Sequence, residues 1–249
     1  MLREEFRQES PSATPLAWGG EPFGEAAALT GVKKFVNLSH IACPVAGGAE
    51  PRRAVFLDRD GVIVEETHYL HRVEDVRFIA GALHAVAAMS GLGFAVVVVT
   101  NQAGIGRGYY AWEDFERVQE YIERELAKAG GWFDGVWACA YHPEGAVDAA
   151  ASRYRKPNPG MLEEAAAELG LDLRNSWLVG DKPSDIGAAL NAGLHRAVHL
   201  LTGHGSQMRE EVRRLVQGAG ATGCEVLFRD SIQDLLPLLE PYRPGRQDD

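Results

Sequence analysis

The stretch Ala54-Val55-Phe56-Leu57-Asp58-Arg59-Asp60-Gly61 decides the fold. Its first four residues are all apolar, which is typical of a strand buried on both faces of a parallel sheet. Later runs of the same character predict further strands at Phe94–Val99, Gly135–Ala140, Ser176–Val179, Ala197–Leu201 and Glu225–Phe228. Helical segments separate these runs, and alternating strands and helices imply right-handed crossovers. The sequence therefore predicts an α/β fold with a doubly wound, Rossmann-like parallel sheet.

The helical segments follow from apolar spacing and from start signals. Between Trp112 and Lys128, apolar residues recur at the spacing of one helix face. Asn158 is a plausible cap for the next helix, with Pro159 at its first position. The predicted helices are Gly81–Ser90, Trp112–Lys128, Pro159–Leu169, Pro183–Ala192, Ser206–Val216 and Ser231–Leu239.

The chain of 249 residues divides unevenly. Residues 1–50 are predicted to be a largely irregular extension, because Glu9 to Glu25 mixes Ser, Pro, Gly and Glu with little periodicity. Within them Val32–Val45 is more apolar and could add a strand or pack on the body. Residues 51–240 form the predicted catalytic domain, and residues 241–249 form a polar tail.

Composition excludes several classes of protein. The net charge of −10 disfavours broad binding to nucleic acid or to anionic membranes. Apolar runs of strand length are too short to span a bilayer, and the charged N-terminus does not resemble a secretory signal. The chain has three cysteines, which lie far apart in the sequence and do not indicate a disulfide framework. A cytoplasmic location is therefore expected.

Polar clusters follow the predicted strands or open the helices. They are Asp58-Arg59-Asp60-Gly61, Thr100-Asn101-Gln102, Arg155-Lys156-Pro157 and Gly180-Asp181 with Asp185. Ligands of a doubly wound sheet bind beyond the carboxyl ends of its strands, so these clusters should meet there. Clustered carboxylates suit a hard divalent ion, and Mg²⁺ is the usual one with phosphate. A carboxylate can also attack phosphorus once the phosphate charge is neutralised.

Each cluster alone is common in α/β proteins, but together and in this order they resemble the four motifs of the haloacid dehalogenase (HAD) superfamily. The resemblance is closer still to its D,D-heptose 1,7-bisphosphate phosphatases, with histidinol-phosphate phosphatases as near relatives. It extends from about Arg53 to Leu239. The residues that carry it are Asp58 to Ile63, Thr100 to Tyr109, His142 to Gly145 and Arg155 to Met161.

The resemblance implies a role for each motif. Asp58 would be the nucleophile, and Asp60 would protonate the leaving alcohol and then activate water. Asp58, Asp60 through its backbone carbonyl, and Asp181 would hold Mg²⁺. Thr100, Asn101 and Lys156 would bind the transferring phosphate, and Asp185 would orient Lys156 or a metal-bound water.

Substrate contacts are predicted around this centre. Arg107 and Arg155 suit bidentate binding of a second phosphate, although both could instead be surface arginines paired with glutamates. Glu66, His68 and Tyr69, on the loop after the first motif, could contact sugar hydroxyls.

The sequence departs from this family at one place. The branch often carries a structural zinc, with a Cys-x-His pair before His142 and a Cys-x-Cys pair before Arg155. Here those positions are Cys139, Tyr141, Ser152 and Tyr154. A tetrahedral site needs about four nitrogen or sulfur ligands, so no zinc is predicted. Loop 143–155 would then be held by packing, with Tyr141 stacked on Tyr154.

We therefore expect a Mg²⁺-dependent phosphatase, without a separate cap domain, that acts through an aspartyl phosphate on a sugar bisphosphate, which the resemblance indicates is D-glycero-D-manno-heptose 1,7-bisphosphate. The alternatives are a histidinol-phosphate or other small phosphate-ester phosphatase, and a non-catalytic phosphate-binding protein. A small phosphorylated sugar is the expected partner, without nucleic acid or membrane, and the chain is expected to be a monomer.

Overall fold

The computed structural model describes residues 31–37, 51–220 and 222–242. The rest of the predicted extension, Cys43 and nearly all of the predicted polar tail lie outside these residues. The described strands are β1 (Val32–Val36), β2 (Ala54–Leu57), β3 (Ala95–Asn101), β4 (Gly135–Cys139), β5 (Trp177–Gly180), β6 (Arg196–Leu200) and β7 (Glu225–Arg229). The α-helices are α1 (Ala82–Gly91), α2 (Ala103–Gly106), α3 (Trp112–Lys128), α4 (Gly160–Leu169), α5 (Pro183–Asn191), α6 (Gly205–Ala219) and α7 (Leu236–Leu239).

The strands form one sheet in the order β1-β4-β3-β2-β5-β6-β7. All neighbouring pairs from β4 to β7 are parallel, and β1 pairs antiparallel with β4. The chain moves outward from β2 on one side through β3 and β4, and on the other through β5, β6 and β7. The strand order therefore reverses between β2 and β5, where a doubly wound sheet opens a crevice for its ligand. The predicted fold class is confirmed.

The core lies on both faces of this sheet. Val55 and Leu57 of β2 pack into one hydrophobic cluster, and Ala54 and Phe56 pack into a second. Successive residues of a strand point to opposite faces, so β2 can bury all four side chains only because helices cover both faces. Burial of this kind contributes about 25 cal/mol per Å² of apolar area removed from water.

Strand β1 belongs to the sheet although it lies within the predicted extension. Its five residues pair with β4 from Val32 opposite Cys139 to Val36 opposite Gly135. The weakly apolar stretch from Val32 therefore does add a strand. A domain boundary at residue 51 leaves that strand out.

Two helix predictions were wrong in detail. Helix α4 begins at Gly160 with Pro159 as its cap, because the Asn158 side chain instead donates to the Ser152 carbonyl over 2.9 Å. The helix predicted over Ser231–Leu239 is a 3₁₀ turn at Ile232–Leu235 followed by the single turn of α7. Pro237 lies in α7 and has no N–H to donate, so a continuous helix over this stretch would lack one of its hydrogen bonds.

No cap domain is inserted after the first motif. Between Asp60 and Thr100 the chain forms a loop, a 3₁₀ turn at Val73–Asp75, helix α1 and most of β3. Within the described part of the chain, no helix combines the length and the apolar character needed to cross a membrane.

Candidate active site

Two buried carboxylates meet where the strand order reverses. Asp58 follows β2, and its backbone N–H donates to the Val179 carbonyl of β5 over 3.0 Å. Asp181 follows β5. Asp58 is 5 % exposed and Asp181 is fully buried, so the sheet itself carries both groups to the same point.

Asp185, from the first turn of α5, completes a cluster of three carboxylates. One oxygen of each of Asp58, Asp181 and Asp185 lies within 4.8 Å of the others. Among the described residues, Asp181 Oδ1 is buried without a hydrogen-bond partner. Such an oxygen is costly to bury unless a cation satisfies it. A set of carboxylate oxygens is the donor type that Mg²⁺ prefers, so these residues fit a magnesium ion.

Lys156 lies between two of these carboxylates. Its ammonium nitrogen is 3.1 Å from Asp58 Oδ1 and 2.6 Å from Asp185 Oδ1, and it donates to the Val99 carbonyl over 2.8 Å. The three contacts match the three protons of an ammonium group. The structure thus places Asp185 against Lys156, while its role in orienting Lys156 or a metal-bound water, which the family resemblance implied, stays a prediction.

The charges of this cluster shift the pKa of each member. Burial alone would raise the pKa of Asp58, but the positive charges of Lys156 and Lys182 lower it below the usual range. Burial, with the charge of Asp58 added, raises the pKa of Asp181 to about 7. For Lys156 burial lowers the pKa, but Asp185 and Asp58 outweigh it and raise the pKa above normal. Asp58 is therefore an ionised, buried carboxylate at neutral pH.

Asn101 holds the backbone of the lysine in place. Its side-chain oxygen accepts from the Lys156 N–H over 3.0 Å, and its amide nitrogen donates to the Lys156 carbonyl over 3.1 Å. The predicted phosphate contact of Asn101 stays a prediction, because both of its polar atoms contact the lysine loop.

Asp60 lies in a second polar network that sequence reasoning missed. The buried Arg59 guanidinium contacts both carboxylate oxygens of Asp60 over 2.9–3.2 Å. The Gln102 amide nitrogen donates to Asp60 Oδ2 over 3.0 Å and to Thr100 Oγ1 over 2.8 Å, and the Tyr110 hydroxyl donates to Gln102 Oε1. Arg59 and Gln102 are part of the motifs that the sequence analysis identified. Their role was missed because a long polar side chain next to a strand end is normally expected to be exposed to solvent.

These groups face a cavity of about 280 Å³ at the sheet edge. It is lined by Asp58, Asp60, Glu66, His68, Tyr69, Leu70, Thr100, Asn101, Gln102, Ala103, Tyr110, Lys156, Lys182, Ser184 and His204. The predicted contacts Glu66, His68 and Tyr69 thus lie on its wall. Lys182 and His204 were not predicted, and both lie next to Glu66, with Lys182 Nζ 2.9 Å from Glu66 Oε2.

The two predicted substrate arginines lie outside the cavity wall. Arg107 donates to the Tyr69 hydroxyl over 2.9 Å and pairs with Glu144, and Arg155 donates to the Tyr141 carbonyl over 3.0 Å. The Arg107 guanidinium therefore contacts the cavity wall through the side chain of Tyr69. His68 and Tyr69 adopt positive φ angles of 53° and 62°, an uncommon conformation for such residues that often accompanies a functional loop.

Loop 143–155, for which the sequence predicts packing in place of zinc, contacts neighbouring parts of the domain. Cys139 is buried, and burial raises the pKa of its thiol to about 11. The Ala146 N–H donates to the Gly106 carbonyl over 2.9 Å. The stacking of Tyr141 on Tyr154 was a wrong prediction: both rings pack against one hydrophobic cluster, but the ring contacts of the described residues do not include that pair, and Tyr154 lies under Arg153.

Glycines let the backbone approach Asp181 closely. A Cβ atom on Gly61 would lie 2.4 Å from Asp181 Oδ2, and one on Gly203 would lie 2.3 Å from the same atom. Both glycines also have positive φ angles, of 87° and 58°. The position of the Asp181 carboxylate therefore depends on the absence of side chains at both residues.

We expect Gly61→Ala to weaken Mg²⁺ binding, because the added methyl group displaces Asp181 from the carboxylate cluster. Changes that disturb a metal ligand's surroundings cost about 10–100-fold in affinity, and titration of Mg²⁺ by calorimetry measures this directly. Gly93→Ala is the matched control: Gly93 has a φ angle of 84° but open space around its Cβ position. Equal Mg²⁺ affinity in the two variants would contradict the assignment.

The chain was compared with known proteins. A model of the family described as HAD-hydrolase-like matches residues 153–225. A D-glycero-alpha-D-manno-heptose-1,7-bisphosphate 7-phosphatase of Burkholderia mallei is 46% identical over 144 residues, 57% of this chain and 76% of that protein. A D-glycero-beta-D-manno-heptose-1,7-bisphosphate 7-phosphatase of Escherichia coli K12 is 40% identical over 152 residues, 60% of this chain and 80% of that protein.

Two solved structures agree with the sequence relatives. A protein from Mesorhizobium loti described as a HAD-like phosphatase has a TM-score of 0.67 at 33% identity, covering 88% of this chain and 97% of its own. The D,D-heptose 1,7-bisphosphate phosphatase of B. bronchiseptica, complexed with magnesium and phosphate, has a TM-score of 0.64 at 27% identity, covering 76% and 98%. On the identity and coverage of these relatives, this chain belongs to the HAD-like hydrolases, in the family of the heptose-1,7-bisphosphate phosphatases.

Proposed function

We propose that this protein is a Mg²⁺-dependent phosphatase that removes the 7-phosphate of a D-glycero-D-manno-heptose 1,7-bisphosphate. The observation that carries the proposal is the geometry of Asp58, a buried carboxylate that lines the cavity and lies 3.1 Å from the Lys156 ammonium. The names of the relatives supply the sugar and the position of the phosphate.

Asp58 and Asp181, with the Asp60 carbonyl, would hold the metal ion, which supplies charge neutralisation to the phosphate when it is bound. Lys156 adds positive charge at the same point, and the Thr100 hydroxyl faces the cavity. Because Thr100 Oγ1 accepts a hydrogen bond from Gln102, its own proton is directed elsewhere and is available to a phosphate oxygen.

The reaction proceeds in two displacements at phosphorus. In the first, a carboxylate oxygen of Asp58 forms a bond to phosphorus as the ester oxygen leaves, and Asp60 gives that oxygen a proton. In the second, water attacks the aspartyl phosphate and gives its proton to Asp60, and the bond from phosphorus to Asp58 breaks. Both carboxyl groups return to their starting states.

The second phosphate would be recognised at the rim. Arg107 and Arg155 are close enough that the charge of Arg107 lowers the pKa of Arg155, after the larger effect of burial. Two guanidinium groups next to Tyr69, which lines the cavity, offer a binding site for the second phosphate dianion. Removal of Arg155 should therefore cost more on a bisphosphate than on a monophosphate.

We also propose that the chain binds no structural zinc, because the family positions hold Tyr141, Ser152 and Tyr154 beside a single Cys139. Stoichiometric zinc in purified protein would contradict this. A cytoplasmic location, which rests on the cysteine usage given above, and a monomeric state remain part of the same proposal.

A phosphate-release screen tests the function. The panel holds the alpha and beta heptose 1,7-bisphosphates, their monophosphates, histidinol phosphate and other small phosphate esters, each assayed with Mg²⁺ and with EDTA. We expect the highest kcat/KM on a heptose bisphosphate and loss of turnover in EDTA. A preference for histidinol phosphate would contradict the heptose assignment and identify that ester as the substrate. The absence of turnover on every ester would favour a phosphate-binding protein without catalytic activity.

A further inference from the structure

The Asp60 carboxylate is held by contacts that differ between its two oxygens. Arg59 contacts both oxygens almost equally, over 3.0–3.2 Å for Oδ1 and 2.9–3.2 Å for Oδ2. Gln102 adds a third contact to Oδ2 alone, over 3.0 Å. Within the described residues Oδ1 therefore has the weaker set of donors, and it is the oxygen with room for a proton.

Gln102 itself has little freedom, because its side chain is 3 % exposed and every polar atom is engaged. Its two N–H groups reach Asp60 and Thr100. Its carbonyl oxygen accepts from the Tyr110 hydroxyl and lies 3.4 Å from an Arg59 nitrogen. Since donors surround the carbonyl oxygen and acceptors face the amide nitrogen, the amide has one orientation that satisfies all of these groups.

Arg59 is the buried anchor of this network. The side chain is fully buried, and its guanidinium lies over the Phe115 ring, 5.0 Å from the ring centre. A guanidinium keeps its charge in proteins and binds a carboxylate in a fixed bidentate geometry. The pair therefore ties Asp60 to helix α3, which carries Phe115, rather than leaving it mobile in the cavity.

We propose that Gln102 is a positioning residue that aims Asp60 Oδ1 at the leaving group and the Thr100 proton at the phosphate, with Tyr110 fixing its orientation. The inference rests on the two-displacement phosphatase chemistry proposed above. One amide thus sets the geometry of both proton delivery and phosphate binding. Proton transfer by a positioned group contributes about 10²–10⁴-fold to a rate, and misplacing Asp60 should forfeit part of that factor.

Leaving-group dependence separates this role from a structural one. Phenyl phosphate and 4-nitrophenyl phosphate have nearly the same shape, but phenolate is the poorer leaving group and depends more on the proton from Asp60. The ratio of their kcat/KM values reports the steps up to departure of the leaving group, before water attacks the aspartyl phosphate. A loss of Thr100 or phosphate binding affects both esters alike, so it leaves the ratio unchanged.

The experiment compares the full chain with Gln102→Leu and Tyr110→Phe, in Mg²⁺. We expect Gln102→Leu to lower kcat/KM for phenyl phosphate about tenfold more than for 4-nitrophenyl phosphate, with a smaller shift of the same sign in Tyr110→Phe. Tyr109→Phe is the matched control, since Tyr109 is the exposed neighbour, and its ratio should equal that of the wild type.

An unchanged ratio in both Gln102→Leu and Tyr110→Phe would overturn the inference while leaving the phosphatase function intact. If Gln102→Leu does not fold, the Tyr110→Phe ratio decides alone, because that change removes one hydroxyl. Failure of the heptose substrates would overturn only the proposed substrate. Absence of Mg²⁺-dependent turnover of every ester by the wild type, heptose bisphosphates and aryl phosphates alike, would refute both proposals.

Discussion

Asp58→Asn should lose turnover by a factor of about 10⁴ or more, because an amide oxygen does not attack phosphorus and no second carboxylate has the same position. The measurement is phosphate release in saturating Mg²⁺. The fold should survive. Asp58 raises the pKa of its neighbour Asp181, so the substitution removes a repulsion, and Lys156 keeps its contact with Asp185.

Asp134→Asn is the control for a buried aspartate without a catalytic role. Asp134 is buried at the opposite end of the sheet, where it accepts from the Val96 N–H over 2.9 Å and pairs with Arg52. This variant should unfold at a lower temperature but keep kcat near that of the wild type. Wild-type activity in Asp58→Asn would show that the reaction does not pass through an aspartyl phosphate.

Lys156→Met should damage both activity and stability. Lys156 is 2 % exposed, and its ammonium group is the cation between Asp58 and Asp185. Removing one partner of a buried ion pair costs about 3–5 kcal/mol, because the remaining charge is left uncompensated. Turnover should fall by several orders of magnitude, since the phosphate also loses a positive charge. Thermal unfolding in EDTA, where no cation replaces the lysine, measures the stability loss.

A double variant separates the two effects. Lys156→Met with Asp185→Asn removes one of the two carboxylates left without a partner, so it should recover much of the stability but none of the activity. Recovery of turnover would show that Lys156 serves only to neutralise Asp185. An unfolding temperature of Lys156→Met equal to that of the wild type would show that the buried pair does not stabilise the fold.

The sheet could be predicted from the sequence because its signals are local. Every residue of β2 is apolar, and the motif residues follow the strands directly, so Asp58 and Asp181 had to meet at one edge. The family resemblance implied that Asp185 orients Lys156 or a metal-bound water, and in the structure it contacts Lys156. The limits of the helices were less certain, because helix ends fray and their assignment varies by one or two residues, as at Asn158 and Pro159.

The network around Asp60 could not be predicted because it depends on side-chain directions. Arg59 follows Asp58 in a motif facing solvent, yet its guanidinium turns inward onto Phe115, a residue 56 positions later. Pattern analysis detects periodicity along the chain, and it does not detect which distant ring a single arginine reaches. Pattern analysis missed the cavity positions of Lys182 and His204 for the same reason, because these positions depend on the conformations of the loops after β5 and β6.

Strand β1 has a practical consequence for handling the protein. It covers the edge of β4, whose five residues are all buried and mostly apolar. Its outward residues Lys33 and Lys34 form ion pairs with Glu116 and Glu168, and lysines on an edge strand discourage further pairing. A shortened chain that starts at Pro51 would keep every proposed catalytic residue but would leave β4 as an unpaired edge strand. Such a chain should aggregate, or dimerise through β4.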